Sequence, residues 1–217
     1  MSHTTLFRVA ALVIGLCLAA SLAACTSDAT PSKKPSFNAG QPTTGDTTVD
    51  SAELRAIKRK AGIDPCPNTT ARGFKPVNGL PEETLPCLGG GGSTNLAMTH
   101  GKPMVLNLWA SWCGPCRKEL PFIQQLHERA GDRVLVLGVD YQDTEPKAAL
   151  ELAAGAGVTY PLLADPKSQV RTPLKVVALP QTVFVNARGS VVATERRQIK
   201  SYDELASLVR KHLLVTP

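Results

Sequence analysis

Cys113 and Cys116 stand two residues apart in Trp112-Cys113-Gly114-Pro115-Cys116, directly behind an apolar run. Two cysteines at this spacing can close a small disulfide and open it again, which is the chemistry of thiol–disulfide exchange. A cysteine attacks as the thiolate, and an unperturbed thiol has a pKa of about 8.5. Arg117 to Arg129 carries Leu120, Ile123 and Leu126 at helical spacing, so a helix is expected to start at the motif and end at Gly131. Its unpaired N–H groups and dipole would favour negative charge on Cys113. Pro115 suits the first helical turn because its missing N–H would be unpaired there anyway. These expectations make Cys113 the exposed nucleophile and Cys116, one turn inside, the resolving thiol. A zinc half-site is the alternative for a CxxC pair, but it needs further ligands, and the four histidines show no ligand spacing.

The elements that must hold this pair follow from the surrounding pattern. Met104 to Ala110 and Val134 to Val139 are apolar without alternation, as strands covered on both faces are. Glu145 to Ala154 is a helix candidate, with Pro146 allowed in its first turn. Tyr160 to Leu163 is a short strand candidate, and Asp165 to Leu174 a helix candidate that Pro173 would interrupt or end. Thr182 to Asn186 and Ser190 to Thr194 form a hairpin signal through Ala187-Arg188-Gly189. Ser201 followed by Glu204 fits a capping box for a last helix to about Leu214. This order predicts an α/β domain with a mixed sheet.

The 217-residue chain has a formal net charge of +6. Its first residues read as a secretory signal peptide over 1–24. His3 and Arg8 precede an uncharged stretch from Val9 to Ala24, shorter than the ~20 residues that span a bilayer comfortably. Leu22-Ala23-Ala24-Cys25 resembles a bacterial lipobox, which implies cleavage before Cys25 and a diacylglyceryl group on its sulfur. Ordinary signal cleavage beside a chance cysteine is the alternative. Removing residues 1–24 takes away Arg8 and no acid, leaving +5. No block of like charge and no interleaving of basic and aromatic residues points to nucleic acid. Lys58-Arg59-Lys60, the densest basic cluster, reads as a solvated face or a weak attraction to anionic headgroups. Thr26 to Val49 is rich in Thr, Ser, Pro, Gly and Asp and reads as a flexible tether.

Asp50 or Ser51 can cap a short helix from Ala52 to Ala61 that Gly62 ends. Residues 63–92 carry many Pro and Gly and read as irregular. Cys17 leaves with the signal peptide, so four cysteines remain besides Cys25, and four allow three pairings. With Cys113 and Cys116 as the close pair, Cys66 and Cys87 are left to each other, and a structural disulfide between them suits a compartment outside the cytoplasm. Two unlinked cysteines, or a metal pair, is the alternative. The domain reading is a signal peptide at 1–24, lipidated Cys25 and tether at 25–50, an N-terminal extension at 51–95, and the main domain at 96–217.

LNLWASWCGPCRKELP, residues 106–121, resembles the thioredoxin superfamily, and more closely its membrane-tethered TlpA- and ResA-like branch. VALPQTVFVN, residues 177–186, resembles the branch's second landmark, a strand opening with cis-proline. The resemblance implies a thioredoxin-like fold with a TlpA-like inserted helix and strand between Asp140 and Tyr160. It implies that Pro180 is the cis-proline beside the CxxC, and that the backbone of Leu179 pairs with the substrate chain. Trp112 would form part of the exposed rim, Gly114 and Pro115 would support the site between the two cysteines, Trp109 would pack beneath, and Pro121 would kink the helix. Thioredoxin has a buried Asp where this chain has Asn107; the branch often has Asn, which cannot relay a proton as a carboxylate does. Glu119 is a typical branch residue that could influence proton transfer, or else an exposed helix acid.

The activity implied is that of a cell-envelope thiol–disulfide oxidoreductase needing no cofactor. In ResA-like proteins the client is apocytochrome c, whose CxxCH cysteines must be reduced before haem attaches, and electrons come from a membrane thiol carrier of the CcdA/DsbD type. Gly-Pro between the cysteines resembles reducing thioredoxins, near −270 mV, rather than a strong oxidant near about −120 mV. The same two cysteines could serve a disulfide-forming oxidase of secreted proteins. A copper metallochaperone would need a distant His, and the only late one is His212. A peroxidase would need a separate peroxidatic cysteine motif, which is not present.

Overall fold

The computed structural model describes residues 48–67, 69 and 76–217. The signal peptide, Cys25 and nearly all of the tether therefore lie outside the described residues. Helix α1 (Ala52–Ala61) is capped by Ser51, whose Oγ accepts from the Leu54 N–H at 3.2 Å, and is closed by Gly62 at φ +70°. A left-handed turn of that kind suits glycine, which has no Cβ to clash. Strands β1 (Thr84–Pro86) and β2 (Ser93–Asn95) form a short antiparallel hairpin; β1 falls within residues 63–92, where the sequence predicts irregular chain.

Five strands make the main sheet, in the order β5-β4-β3-β6-β7. They are β3 (Met104–Trp109), β4 (Leu135–Tyr141), β5 (Leu162–Asp165), β6 (Gln181–Val185) and β7 (Val191–Glu195). The β3–β4 and β4–β5 pairs are parallel, while β6 runs antiparallel to β3 and β7 antiparallel to β6. Helix α2 (Gly114–Ala130) joins β3 to β4, α3 (Pro146–Gly155) joins β4 to β5, and α4 (Tyr202–Leu213) closes the chain. α2 runs as one helix through Pro121. The Ser201 Oγ accepts from the Glu204 N–H at 3.2 Å and starts α4. This is the thioredoxin-like arrangement; α3 falls between Asp140 and Tyr160, where an inserted helix and strand are expected, while β5 begins just beyond, at Leu162.

Side-chain alternation explains why the central strands are apolar throughout. On β3, Val105 and Trp109 face a core shared with Leu120, Ile123 and Leu126 of α2, Leu150 of α3 and Val209 of α4. Met104, Leu106 and Leu108 face the other way, onto Leu85 and Leu96 from the hairpin region and Val170 and Leu174. Both faces of β3 are thus dry, and all six of its residues are buried.

The helix expected over Asp165 to Leu174 does not form. Asp165 ends β5, and its carboxylate accepts the Gln169 and Val170 N–H groups at 2.8 and 3.0 Å. Those donors are satisfied by a side chain, Ser168 takes φ +57°, and Pro173 has no N–H to offer. The segment makes turns that lay Val170 and Leu174 onto the sheet. Cys87 and Leu88 run along the outer edge of β5: the Leu88 N–H donates to the Leu162 carbonyl at 2.9 Å, and Cys87 bridges Leu163. An edge strand is thereby covered rather than left open to another chain.

Candidate functional site

Strand β3 ends at Trp109, and a turn closed by the Cys113 N–H on the Ala110 carbonyl at 3.1 Å leads into α2. Cys113 occupies the N-cap position. Its Sγ accepts the Cys116 N–H at 3.3 Å, so one unpaired donor of the helix start points at this sulfur. Cys113 and Cys116 are joined as a disulfide with Cα atoms 5.3 Å apart. Cys113 is only 3% exposed, against the expectation of an exposed nucleophile; the exposed positions of the loop are Trp112, at 57%, with Gly114 and Pro115. The N-cap geometry turns the Cys113 side chain inward over the first helical turn, which accounts for the difference.

The Leu179–Pro180 peptide bond is cis. Trp112 and Leu179 line one small cavity of about 100 Å³, together with Tyr141, Gln142, Arg171 and residues 176–178. The dithiol loop and the segment before β6 therefore meet at the same place, and half-buried Leu179 packs against the core that holds both cysteines. Val177, 80% exposed, stands beside them. A larger cleft of about 600 Å³ lies elsewhere, lined by His127, Asp132 and the start of β4.

Beneath the loop, Glu119 is 1% exposed, so the exposed-acid alternative is wrong. It sits three residues after Cys116 on α2, a spacing that shares a helix face. Its Oε1 accepts from the Asn107 Nδ2 at 3.4 Å and the Thr182 hydroxyl at 3.2 Å, and Asn107 also donates to Thr182 at 3.2 Å. Oε2 is buried without a hydrogen-bond partner. Burial pushes the Glu119 carboxyl up to about 7, against which the Thr182 hydrogen bond pulls only in part. A group of that pKa can hold or release a proton near neutral pH. Asn107, neutral and in the centre of β3, orients it.

Trp109 is fully buried, whereas Trp112 anchors its indole by an Nε1–H bond to the Gln142 carbonyl at 3.2 Å. Sequence reasoning missed the segment that supplies this anchor. Asp143 accepts the Ser111 N–H at 2.6 Å, and Arg117 donates twice to the Ser111 carbonyl, at 2.9 and 2.6 Å. The signal was legible in part: an acid just beyond a buried parallel strand lies at the end of the sheet where the active loop also sits.

Cys66 and Cys87 are paired as a disulfide, Cα atoms 6.1 Å apart, on the far side of β5. His212 lies in α4 with its ring 5.4 Å from that of Phe184 and its Nε2 buried. Among the described residues no helix is long and apolar enough to cross a membrane.

A profile of the AhpC/TSA family matches residues 78–194, more than half of the chain. The chain belongs to that family. This AhpC/TSA-family protein is 31% identical over 103 residues to the thioredoxin-like protein YneN of Bacillus subtilis, across 46% of this chain and 60% of YneN. It is 33% identical over 96 residues to the thiol-disulfide oxidoreductase ResA of Geobacillus kaustophilus, across 42% of this chain and 53% of ResA. It is 33% identical over 113 residues to the thiol:disulfide interchange protein DsbE of Pseudomonas fluorescens, across 52% of this chain and 61% of DsbE. The chain thus spans between half and two thirds of these relatives' length. Among solved structures it is similar to the DsbF of MTB, in mixed oxidised and reduced forms, at TM-score 0.55 and 29% identity, over 61% of this chain and 98% of that one. A DsbF homologue from Corynebacterium diphtheriae aligns at TM-score 0.53 and 25% identity, over 68% of this chain and 99% of that one. The match begins at residue 78, within the segment read as an N-terminal extension, and so takes in the β1–β2 hairpin as well.

Proposed function

We propose that this protein is a cell-envelope thiol–disulfide oxidoreductase that reduces disulfides of exported proteins such as apocytochrome c. The observation that carries the reading is the Cys113–Cys116 disulfide at the N-terminus of α2, with Trp112 of its loop sharing a cavity with Leu179 of the cis Leu179–Pro180 bond, and with the buried Glu119 three residues after Cys116. In the reduced form the Cys113 thiolate attacks one sulfur of the client disulfide. A mixed disulfide forms and the client's other sulfur leaves as a thiolate. Cys116, as thiolate, then attacks Cys113, releasing the second client sulfur. Two electrons pass to the client and the protein is left as the Cys113–Cys116 disulfide. Glu119 takes the Cys116 proton as that thiol becomes the attacking group. Asn107 and Thr182 orient the carboxylate for it.

Export through the segment at 1–24, lipid attachment at Cys25 and a tether to residue 50 would hold the domain outside the cytoplasm at the membrane surface. A CcdA/DsbD-type membrane thiol carrier would return the electrons. The names of ResA and DsbE support exchange chemistry, and the resemblance to the ResA-like branch supports apocytochrome c. The runner-up is a disulfide-forming oxidase working the same two cysteines in reverse. Equilibrating the dithiol against a glutathione series separates the two. A potential near about −270 mV fits a reductant, and one at or above about −150 mV would approach the strong-oxidant regime and sink the reductant reading. Loss of the protein should leave c-type apocytochromes oxidised and unmatured; intact cytochromes would count against this client.

A further inference from the structure

The backbone of Ser111, two residues before Cys113, is held at both its N–H and its carbonyl by charged side chains. Its N–H goes to the Asp143 Oδ2 at 2.6 Å and its carbonyl takes two bonds from Arg117. Asp143 is 4% exposed, and its other oxygen accepts the Glu145 N–H at 2.9 Å. Bonds of a backbone N–H to a carboxylate, or of a guanidinium to a carbonyl, are about twice as strong as neutral ones. The next residue is fixed as well, through the Trp112 indole on the Gln142 carbonyl. Segment 142–143 thus grips the loop at two consecutive residues, immediately before the reactive sulfur.

We infer that Asp143 is a positioning residue for the dithiol: with Arg117 it clamps the Ser111 backbone on both sides of its Cα, and so fixes Cys113 at the helix N-cap where its thiolate is stabilised. The inference rests on the reading of Cys113 as the attacking thiol. Asp140, the next position after Gly138 on the same face of β4 and paired in register with Trp109, is 2% exposed with Oδ1 unpartnered. Burial first, then the Asp143 charge and a hydrogen bond to it, push the Asp140 carboxyl well above the usual range. The other charged groups on elements meeting at the loop are Arg117, Lys118 and Glu119 on α2, Glu145 after β4, and Arg171, whose guanidinium is tied to the Tyr141 hydroxyl and the Gln142 amide.

The sign of one measurement separates positioning from simple electrostatics. Asp143→Asn removes a negative charge, which alone would stabilise the Cys113 thiolate and speed its alkylation. If the clamp is what matters, the variant loosens the N-cap and slows it. The full chain is reduced, alkylated with iodoacetamide across a pH series, and the Cys113 peptide followed by mass spectrometry, with thermal unfolding recorded alongside. We expect roughly threefold slower alkylation at about pH 6 in D143N, the effect of a pKa higher by about 0.5. Arg117→Met should act in the same direction, and D143N/R117M should be no slower than the worse single variant, because both remove one clamp. A D143N rate equal to or above wild type, or a lowered melting temperature with no change in rate, overturns the inference, as does additivity of the pair. Wild-type Cys113 reacting no faster than an ordinary thiol overturns the reading of the dithiol and the clamp with it.

Discussion

Replacing Glu119 by Gln tests the buried carboxyl most directly. The residue is 1% exposed, and its pKa is raised from 4.5 to about 7 in the folded chain by desolvation. In the unfolded chain it titrates at its ordinary value. The folded state therefore binds this proton more tightly, and stability falls as pH rises through the interval between the two values. Below about pH 4.5 the carboxyl is neutral in both states and has no cost. Above about 7 the folded protein carries the full penalty, on the order of 3 kcal/mol at 1.36 kcal/mol per pKa unit. Gln keeps the Oε1 acceptor for Asn107 and Thr182 and cannot ionise. Urea unfolding of oxidised wild type and E119Q from about pH 4 to about pH 8 should give curves that diverge with rising pH, E119Q gaining about 3 kcal/mol relative to wild type over the range. Other titrating groups cancel in the difference. Parallel curves would mean that Glu119 is solvated or otherwise compensated, and the argument for a near-neutral proton site beside the dithiol would fail. The same variant should slow resolution of the mixed disulfide near neutral pH, because an amide takes no proton from Cys116.

Cys116→Ser should accumulate a mixed disulfide between Cys113 and its clients, visible on non-reducing gels, while Cys113→Ser should trap none; trapping by C113S would reverse the two roles. Replacing Cys66 and Cys87 together by Ala opens a loop of sequence separation 21, and should cost about 3 kcal/mol in denaturant unfolding while leaving the Cys113–Cys116 potential in place. A change of potential would instead give that bond a regulatory part. Gly138→Ala puts a Cβ 2.6 Å from the Leu162 Cδ2 and 3.0 Å from the Tyr160 ring, so it should lower stability by about 1–3 kcal/mol; a neutral result would mean that β5 can move outward.

The catalytic strand–loop–helix was legible because local rules agree there: an apolar run, a CxxC, a proline that suits the first turn, then helical periodicity to a glycine. What failed to be legible was decided by side-chain hydrogen bonds that hydrophobic periodicity does not register, one set local and the other between residues far apart in sequence. Asp165 diverts two N–H donors and removes a helix whose spacing looked adequate. The burial of Glu119 depends on Thr182, 63 residues further on, closing over it from β6. No helical pattern distinguishes a buried acid from a solvated one when the covering strand is that distant. The β1–β2 hairpin escaped because three-residue strands carry no period, and it forms where Cys87 and Leu88 bond along β5.

The position of Asn107 ties these points together. A carboxylate in the middle of β3 would be buried on a strand with no freedom to move, and would have to titrate there. The neutral amide instead donates to both Glu119 and Thr182, and the titrating group sits on α2, one turn past Cys116. A side chain on a helix can follow the sulfur of that same helix as the disulfide opens. Exchanging the pair, as Asn107→Asp with Glu119→Gln, would return the proton site to the strand. If location on α2 is what matters, that double variant should keep a near-neutral titration in its stability profile yet resolve mixed disulfides more slowly than wild type. Full recovery of the resolution rate would show that any buried carboxyl near Cys116 suffices, and that its helix is immaterial.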